Sequence, residues 1–166
     1  MLSGMLVAFA IAGILLATVA AIYLLSLRSF HSFQNNIDME SQGRLACDRL
    51  GEQIRAASRI VQFKDGKLVL RVGTNDVEFR YDNAARTLDW RSHAERQTLL
   101  SDCDYVRYEF FARAQTNAGF GLLPAAGATN ANAVMVSWRC TRFIQGKPAN
   151  VLERETPRFV MRKSLL

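Results

Sequence analysis

The feature that most constrains this chain is an uncharged N-terminal run of 27 residues, which ends at Arg28. A helix rises about 1.5 Å per residue, so a run of this length spans more than the roughly 30 Å hydrocarbon core of a bilayer. No basic residue precedes the run, and it is longer than the apolar part of a cleavable signal. We therefore predict a membrane anchor or a segment that packs against copies of itself. A cleaved signal and a buried helix of a soluble protein are less favoured alternatives.

The chain after Arg28 continues with the spacing of an amphipathic helix. No proline occurs before Pro124, so nothing in the sequence stops the helix at the end of the apolar run. Apolar residues recur mostly at helical intervals, and they are Phe33, Ile37, Cys47, Leu50, Ile54, Ala57 and Val61. We predict one helix to about Ser58, with this stripe packed on the globular part of the same chain. A coiled-coil partner is the alternative.

Beyond Ser58 the hydrophobic period changes to two, which is typical of strands. The segment IVQFKDGKLVLRV contains the hairpin dipeptide Asp65-Gly66. The residues predicted to face inward are Leu68, Leu70, Val72, Val77, Phe79, Tyr81, Leu88, Trp90, Val106, Tyr108, Phe110, Val134, Val136, Trp138, Cys140, Phe159 and Met161. We predict an α+β fold, in which the long N-terminal helix packs on a small, largely antiparallel sheet with one buried face.

The predicted helix and strands divide the chain into three parts. We predict an apolar transmembrane or filament-core helix over residues 1–27, an amphipathic helical stalk over 28–58 and a β-rich globular domain over 59–166. Residues 114–133 follow neither period and contain seven alanines. A long segment of this kind predicts a mobile connector. The alternative is a partner-binding loop, whose contacts would come from Phe120, Leu122 and Leu123.

The three cysteines fit no zinc-ligand spacing. Their odd number excludes a fully paired set of intramolecular disulfides, and Cys47 is interpreted as a small apolar residue of the helix stripe. A hairpin across residues 114–133 would place Cys103 and Cys140 near each other but not opposite. We therefore predict that these two cysteines stay unbonded.

Sequence motifs of catalysis are missing from this chain. It contains no nucleophile elbow, metalloprotease motif or phosphate-binding loop, so we expect no enzymatic activity and no cofactor. Asp102 and Asp104 could together bind a cation such as calcium, but two ligands are too few, and a solvated strand edge is preferred. The net charge of +6 allows an anionic partner. A DNA-binding alternative would use this charge together with Trp90, Tyr105 and Tyr108.

The N-terminal segment GMLVAFAIAGILLATVAAIYLLSLRSF resembles that of prepilin-type proteins, the type IV pilin family. The next segment, RSFHSFQNNIDMESQGRLACDRLGEQIRAASRI, resembles the helical stalk of minor pilins and pseudopilins. The segments LLSDCDYVRYEFF and AVMVSWRC are similar to a minor pseudopilin of the type II secretion system. This resemblance implies a pilin-like fold and a structural subunit of a pseudopilus or pilus. It also implies a single inner-membrane span with the C-terminal domain in the periplasm.

The same resemblance implies a set of partners. They are other pilin or pseudopilin subunits, a prepilin peptidase that cleaves and N-methylates the subunit, an assembly ATPase and a platform protein. Small residues of the apolar helix would permit close approach of neighbouring helices; they are Gly13, Ala17, Ala20 and Ala21. Leu6 is expected to belong to the same membrane-anchoring and packing segment. Simple exposure to lipid is an equal alternative for these residues.

Two departures from the family pattern bear on the role of the subunit. Alignment on Gly13 puts Gly4 where the family has a glutamate that neutralises the N-terminal amine of the neighbouring subunit. The resemblance therefore implies a low-copy subunit at or near the filament tip; alternatively, Gly4 only eases helix packing. The family's basic leader is also missing, and Arg28 lies on the wrong side for the family's orientation. We expect Met1 to be an incorrect start or the beginning of a mature form.

The resemblance leaves several functions open. Protein secretion, pilus assembly and DNA uptake use subunits of the same plan, and the DNA-binding alternative belongs to the last of these. A single-pass anchored periplasmic protein of unrelated function is a further alternative.

Overall fold

A computed structural model of the chain describes residues 2–93, 95–116, 119–144 and 146–162. Its elements are helix α1 (Leu2–Ala56), ten strands and a 3-10 turn (Ala128–Asn130). The strands are β1 (Arg59–Lys64), β2 (Lys67–Val72), β3 (Asn75–Asp82), β4 (Thr87–Arg91), β5 (Arg96–Leu100), β6 (Cys103–Thr116), β7 (Gly119–Pro124), β8 (Ala133–Ile144), β9 (Lys147–Glu155) and β10 (Phe159–Val160). The predicted α+β class is confirmed, with one long N-terminal apolar helix and antiparallel sheets. The chain forms two compact units, Met1–Ile37 and Asp38–Leu166.

Strands β1 to β5 form an antiparallel meander, here called sheet A, in the order β1-β2-β3-β4-β5. The predicted turn between β1 and β2 is present. Asp65 and Gly66 both have positive φ, at 51° and 73°, as a two-residue hairpin turn with the right-handed twist of its strands requires. Asp-Gly tolerates this conformation better than other pairs, which explains why the sequence marked this hairpin.

The remaining strands form a second sheet, sheet B, so the expectation of one small sheet was wrong. Its order is β10-β8-β6-β7, and β9 also pairs with β8. Strand β7 and the 3-10 turn lie within residues 114–133, where a connector without regular structure was predicted. Strand β7 is formed by backbone hydrogen bonds to β6. Because it lies at the edge of the sheet, it can form without an alternation of apolar and polar side chains.

The register between β6 and β8 corrects the predicted placement of the two cysteines, whereas both are free thiols in the structure, as predicted. Cys103 lies directly opposite Cys140, although the sequence pattern predicted that they would be offset. The ladder shifts between Cys103 and Tyr105, where Tyr105 pairs with Arg139. A bulge of one residue at this point moves Cys140 into the opposite position, and the hydrophobic pattern does not reveal such a bulge.

The core of the second unit lies between the C-terminal part of α1 and the two sheets. All residues predicted to face inward from the strands belong to this core or pack against it. The helix stripe needs correction, because Phe33, Ile37 and Val61 are exposed. Strand β1 starts at Arg59, so strand alternation turns Ile60 inward and Val61 outward. On the described part of the helix the buried hydrophobic residues are Met39, Ala46, Leu50 and Ile54.

Candidate helix-packing surface

The N-terminal part of α1 has an apolar surface on every side. Its large hydrophobic side chains from Met5 to Leu25 are each between 54% and 73% exposed. The most apolar 18-residue window has a mean hydropathy of 2.7, and none of it is buried. The helix is therefore long and apolar enough to cross a membrane. A contiguous apolar surface of this size marks contact with a membrane or a protein partner.

The helix brings five of the predicted packing residues onto one face. Successive residues are rotated by about 100° around a helix axis, and the positions that fall within about 80° of Gly13 include Leu6, Ala17, Ala20 and Ala21. Gly4 does not belong to this face, because nine residues from Gly13 place it about 180° away. The helix therefore separates the two features that the sequence analysis singled out: the small-residue face and the position of the missing glutamate.

Among the described residues, no contact requires a glycine at either of these two positions of the helix. Apart from the adjacent helix backbone, a Cβ atom added at Gly4 or Gly13 would meet no described atom within 4 Å. The hydroxyl of Thr18 donates a hydrogen bond of 2.7 Å to the carbonyl oxygen of Leu15. Because this polar group is satisfied within the helix, it is compatible with an apolar surrounding.

The predicted partner loop is part of the edge of sheet B. Leu122 pairs with Arg113, and Leu123 pairs with Ala112. Leu123 is exposed and Leu122 is half-buried. The side chain of Phe120 lies outside the part of the chain that the structure describes. The three residues thus belong to strand β7, and their role in binding a partner stays a prediction.

The acidic pair Asp102 and Asp104 binds arginine side chains. Arg86 Nη2 lies 2.6 Å from Asp104 Oδ1, 3.0 Å from the carbonyl oxygen of Asp102 and 3.1 Å from that of Thr141. The carboxylate of Asp102 accepts a hydrogen bond of 3.1 Å from Arg142 Nε. The two aspartates therefore already have cationic partners, which explains their presence without calcium.

Arg86 connects the two sheets, and we call its surroundings the Arg86 clasp: Tyr81, Arg86, Asp102, Asp104 and Thr141. Tyr81 and Arg86 come from β3 and the turn after it, whereas the others belong to sheet B or its approach. The hydroxyl of Tyr81 lies 3.1 Å and 2.9 Å from the carbonyl oxygens of Cys103 and Asp104. Burial, and to a lesser degree the neighbouring Cys103, raises the pKa of Tyr81. Arg86 and Asp102 have positive φ, at 55° and 58°; the sequence pointed to Asp102 but not to Arg86.

Two of the three aromatic residues proposed for DNA stacking are buried, namely Trp90 and Tyr108. The guanidinium of Arg49 lies 4.7 Å from the Trp90 ring centroid. Tyr105 is half-buried, and its hydroxyl donates a hydrogen bond of 2.7 Å to Glu153. Base stacking needs accessible ring faces, so Trp90 and Tyr108 give no support to the DNA-binding alternative.

Other surface features show mixed charge. A pocket on sheet A is lined by Glu78, Arg80, Asp82, Asp89, Arg91 and Arg96.

Over the described residues, no three His, Cys, Asp or Glu side chains are grouped as metal ligands would be. The absence of enzymatic activity stays a prediction.

No protein-family model matches this chain, and no curated protein matches it either.

Proposed function

We propose that this protein is a structural minor subunit of the type IV pilin class. In this proposal α1 holds it in the inner membrane by a single span, with the β-rich domain in the periplasm, before it joins a type II secretion pseudopilus or a type IV pilus. The observation that carries the proposal is the uncharged helix surface, which is exposed on every side between Met5 and Leu25. Lipid would cover this surface in the membrane, and helices of other subunits would cover it in a filament.

The small-residue face supports close helix packing in such a filament. Gly13 and Ala17 present little side chain, so another backbone can approach the helix closely there. Apart from the adjacent helix backbone, no atom of the described residues lies within 4 Å of the Cβ position of Gly13, so this position is open to contact with another helix. A subunit of this kind would be processed by a prepilin peptidase and assembled by an ATPase and a platform protein.

Gly4 supports a position at or near the tip. A carboxylate buried in an apolar bundle is favourable only when it is paired, and in the filaments of this class that pair links one subunit to the next. Gly4 cannot supply the carboxylate of this ion pair. Only a subunit that has no other subunit ahead of it in the filament loses no ion pair for that reason. We propose that the protein is present in few copies and initiates assembly.

The experiment is to isolate filaments from cells that carry the full-length protein and to count its copies against the major subunit by mass spectrometry. We expect a few copies per filament. The matched variants are Ala17→Leu, on the small-residue face, and Ala12→Leu, about 140° away around the helix. Both side chains are exposed in the chain, so we expect both variants to fold and only Ala17→Leu to reduce incorporation.

Two results would contradict the proposal in different ways. High copy number along the shaft would overturn the tip position but not the class. If the protein stayed in the inner membrane and never co-purified with filaments, it would be an anchored protein of another function. Equal incorporation of the two leucine variants would remove the role of the small-residue face.

A further inference from the structure

The sulfur atoms of Cys103 and Cys140 form a buried pair of free thiols at the start of β6 in sheet B. The two residues are direct partners in the β6–β8 register and are 0% and 3% exposed. Their Sγ atoms lie 2.9 Å apart, and the two residues are separated by 37 positions in the chain. The cysteines therefore come together through the fold and not through proximity in sequence.

The backbone hydrogen bonds around this pair favour contact of the side chains. The N–H group of Cys103 donates to the carbonyl oxygen of Arg86, and that of Thr141 donates to the carbonyl oxygen of Asp102. Cys103 thus gives its N–H to a residue outside the β6–β8 ladder. Opposite residues that exchange no backbone hydrogen bonds have the closest side chains in an antiparallel pair. In pairs of this kind the Cα atoms are about 4.5 Å apart, which lies within the range that a disulfide spans.

We infer that Cys103 and Cys140 form a cross-strand disulfide when the domain folds in an oxidising environment. The oxidant is another disulfide. One cysteine thiolate attacks it and releases one thiol, and the second thiolate then attacks the mixed disulfide and releases the other. The pair loses two protons and two electrons, and the oxidant is reduced to two thiols. Since both sulfurs are buried, exchange takes place before the core closes, and the finished bond is shielded from reductants.

The position of this bond gives it a structural effect. It ties β6 to β8 beside the Arg86 clasp, where the two sheets are joined, and it closes a long stretch of chain that includes β7. Such a link restricts the unfolded chain more strongly as the closed loop grows. The oxidised protein should therefore unfold at a higher temperature than the reduced one.

The geometry of the bond is independent of the proposed function, whereas its formation in cells rests on the periplasmic location proposed above. The decisive experiment is to unfold the full chain and refold it in detergent with oxidised and reduced glutathione. The protein is then denatured in acid, and its free thiols are labelled with a maleimide and counted by mass. We expect one labelled thiol without reductant, at Cys47, and three after reduction. The Cys47→Ala variant should give none and two.

Three labelled thiols in the unreduced wild type, or glutathione attached to Cys103 or Cys140, would overturn the inference. One labelled thiol in unreduced Cys47→Ala would do so too, because it would show that Cys103 and Cys140 are not joined to each other. Trapping thiols in intact cells gives a separate result. A pair that is oxidised on refolding but reduced in cells would keep the bond and overturn the periplasmic location.

Discussion

The ring of Phe159 lies against Gly51 so closely that a Cβ atom on Gly51 would be 2.8 Å from Phe159 Cε1. Phe159 is buried and belongs to β10, the strand that pairs with the start of β8. A glycine in a helix interior costs up to about 1 kcal/mol relative to alanine. Here the glycine allows α1 to approach the aromatic ring.

The substitution Gly51→Ala should therefore destabilise the protein in spite of its better helix propensity. Overpacking of a core costs about 1–3 kcal/mol and the gain in helix propensity is about 1 kcal/mol, so we expect a net loss of up to about 2 kcal/mol in the free energy of unfolding. Denaturant unfolding of the full chain in detergent measures it. The control is Gly127→Ala, since no atom lies within 4 Å of that Cβ position and its φ of −162° is extended. A stabilised Gly51→Ala variant would contradict the prediction.

The Arg86 clasp should depend on the shape of the guanidinium and not only on its charge. Arg86→Lys keeps the charge but removes the planar group whose Nη2 atom reaches two carbonyl oxygens and a carboxylate. The Cζ atom of the same group lies 5.7 Å from the centroid of the Phe143 ring, and an ammonium group does not reproduce this stacking. We expect a loss of about 1–3 kcal/mol in the free energy of unfolding. Arg96→Lys is the control, because the Arg96 side chain that contacts Asp89 is 63% exposed. Such surface pairs contribute about 0–1 kcal/mol, and equal losses in the two variants would argue against the clasp.

The protein should be more stable when the side chain at position 108 lacks the hydroxyl group of Tyr108. The side chain is buried, its pKa is raised by burial, and its hydroxyl oxygen has no hydrogen-bond partner in the described part of the chain. An unsatisfied buried polar group costs about 1–3 kcal/mol, so Tyr108→Phe should gain about 1 kcal/mol in the free energy of unfolding. Tyr105→Phe, which removes the hydrogen bond to Glu153, should show no gain. A destabilised Tyr108→Phe variant would indicate an internal partner for the hydroxyl.

Asp89 should contribute to loss of stability in acid. Burial alone would raise the pKa of its carboxyl, but hydrogen bonds from Arg96 and Thr98 outweigh burial and lower the pKa below its ordinary 3.8. A carboxyl with a lowered folded-state pKa stabilises the protein above its ordinary pKa and loses this contribution as the pH falls further. We expect Asp89→Asn to be less stable than the wild type at neutral pH and to lose less stability below pH 3.8.

Denaturant unfolding at several pH values measures this difference. Thr98→Val removes the hydroxyl that donates a hydrogen bond of 2.7 Å to Asp89 Oδ1, so the folded-state pKa of Asp89 should move back toward its ordinary value. This variant should therefore lose less stability in acid than the wild type. Parallel pH profiles for Asp89→Asn and the wild type would exclude the role of this carboxyl.

Local patterns in the sequence were sufficient for the elements and for much of the core. The Asp65-Gly66 turn was predicted correctly because it depends on the backbone preferences of two adjacent residues. The alternation that includes Phe79 and Trp138 was also sufficient, because each strand has one face that must be buried. The helix was predicted to end near Ser58 and ends at Ala56.

Features that depend on contacts between distant parts of the chain could not be predicted from local sequence patterns. Strand β7 is formed by its hydrogen bonds to β6, so its own side chains carry little signal. The buried stripe of α1 was extended wrongly to Phe33 and Ile37, since periodicity shows which face is apolar but not how far other elements cover it.

The sequence by itself determined the uncharged apolar helix, the change to strand alternation and therefore the α+β class, because each of these follows from contacts between near neighbours in the chain. Only the tertiary structure decided the division into two sheets, the arginine partners of Asp102 and Asp104, and the opposition of Cys103 and Cys140. The physical reason is that each of these depends on contacts between residues far apart in the chain. For the cysteines it is the bulge after Cys103, where one extra residue shifts the register of the ladder and the hydrophobic pattern gives no sign of it.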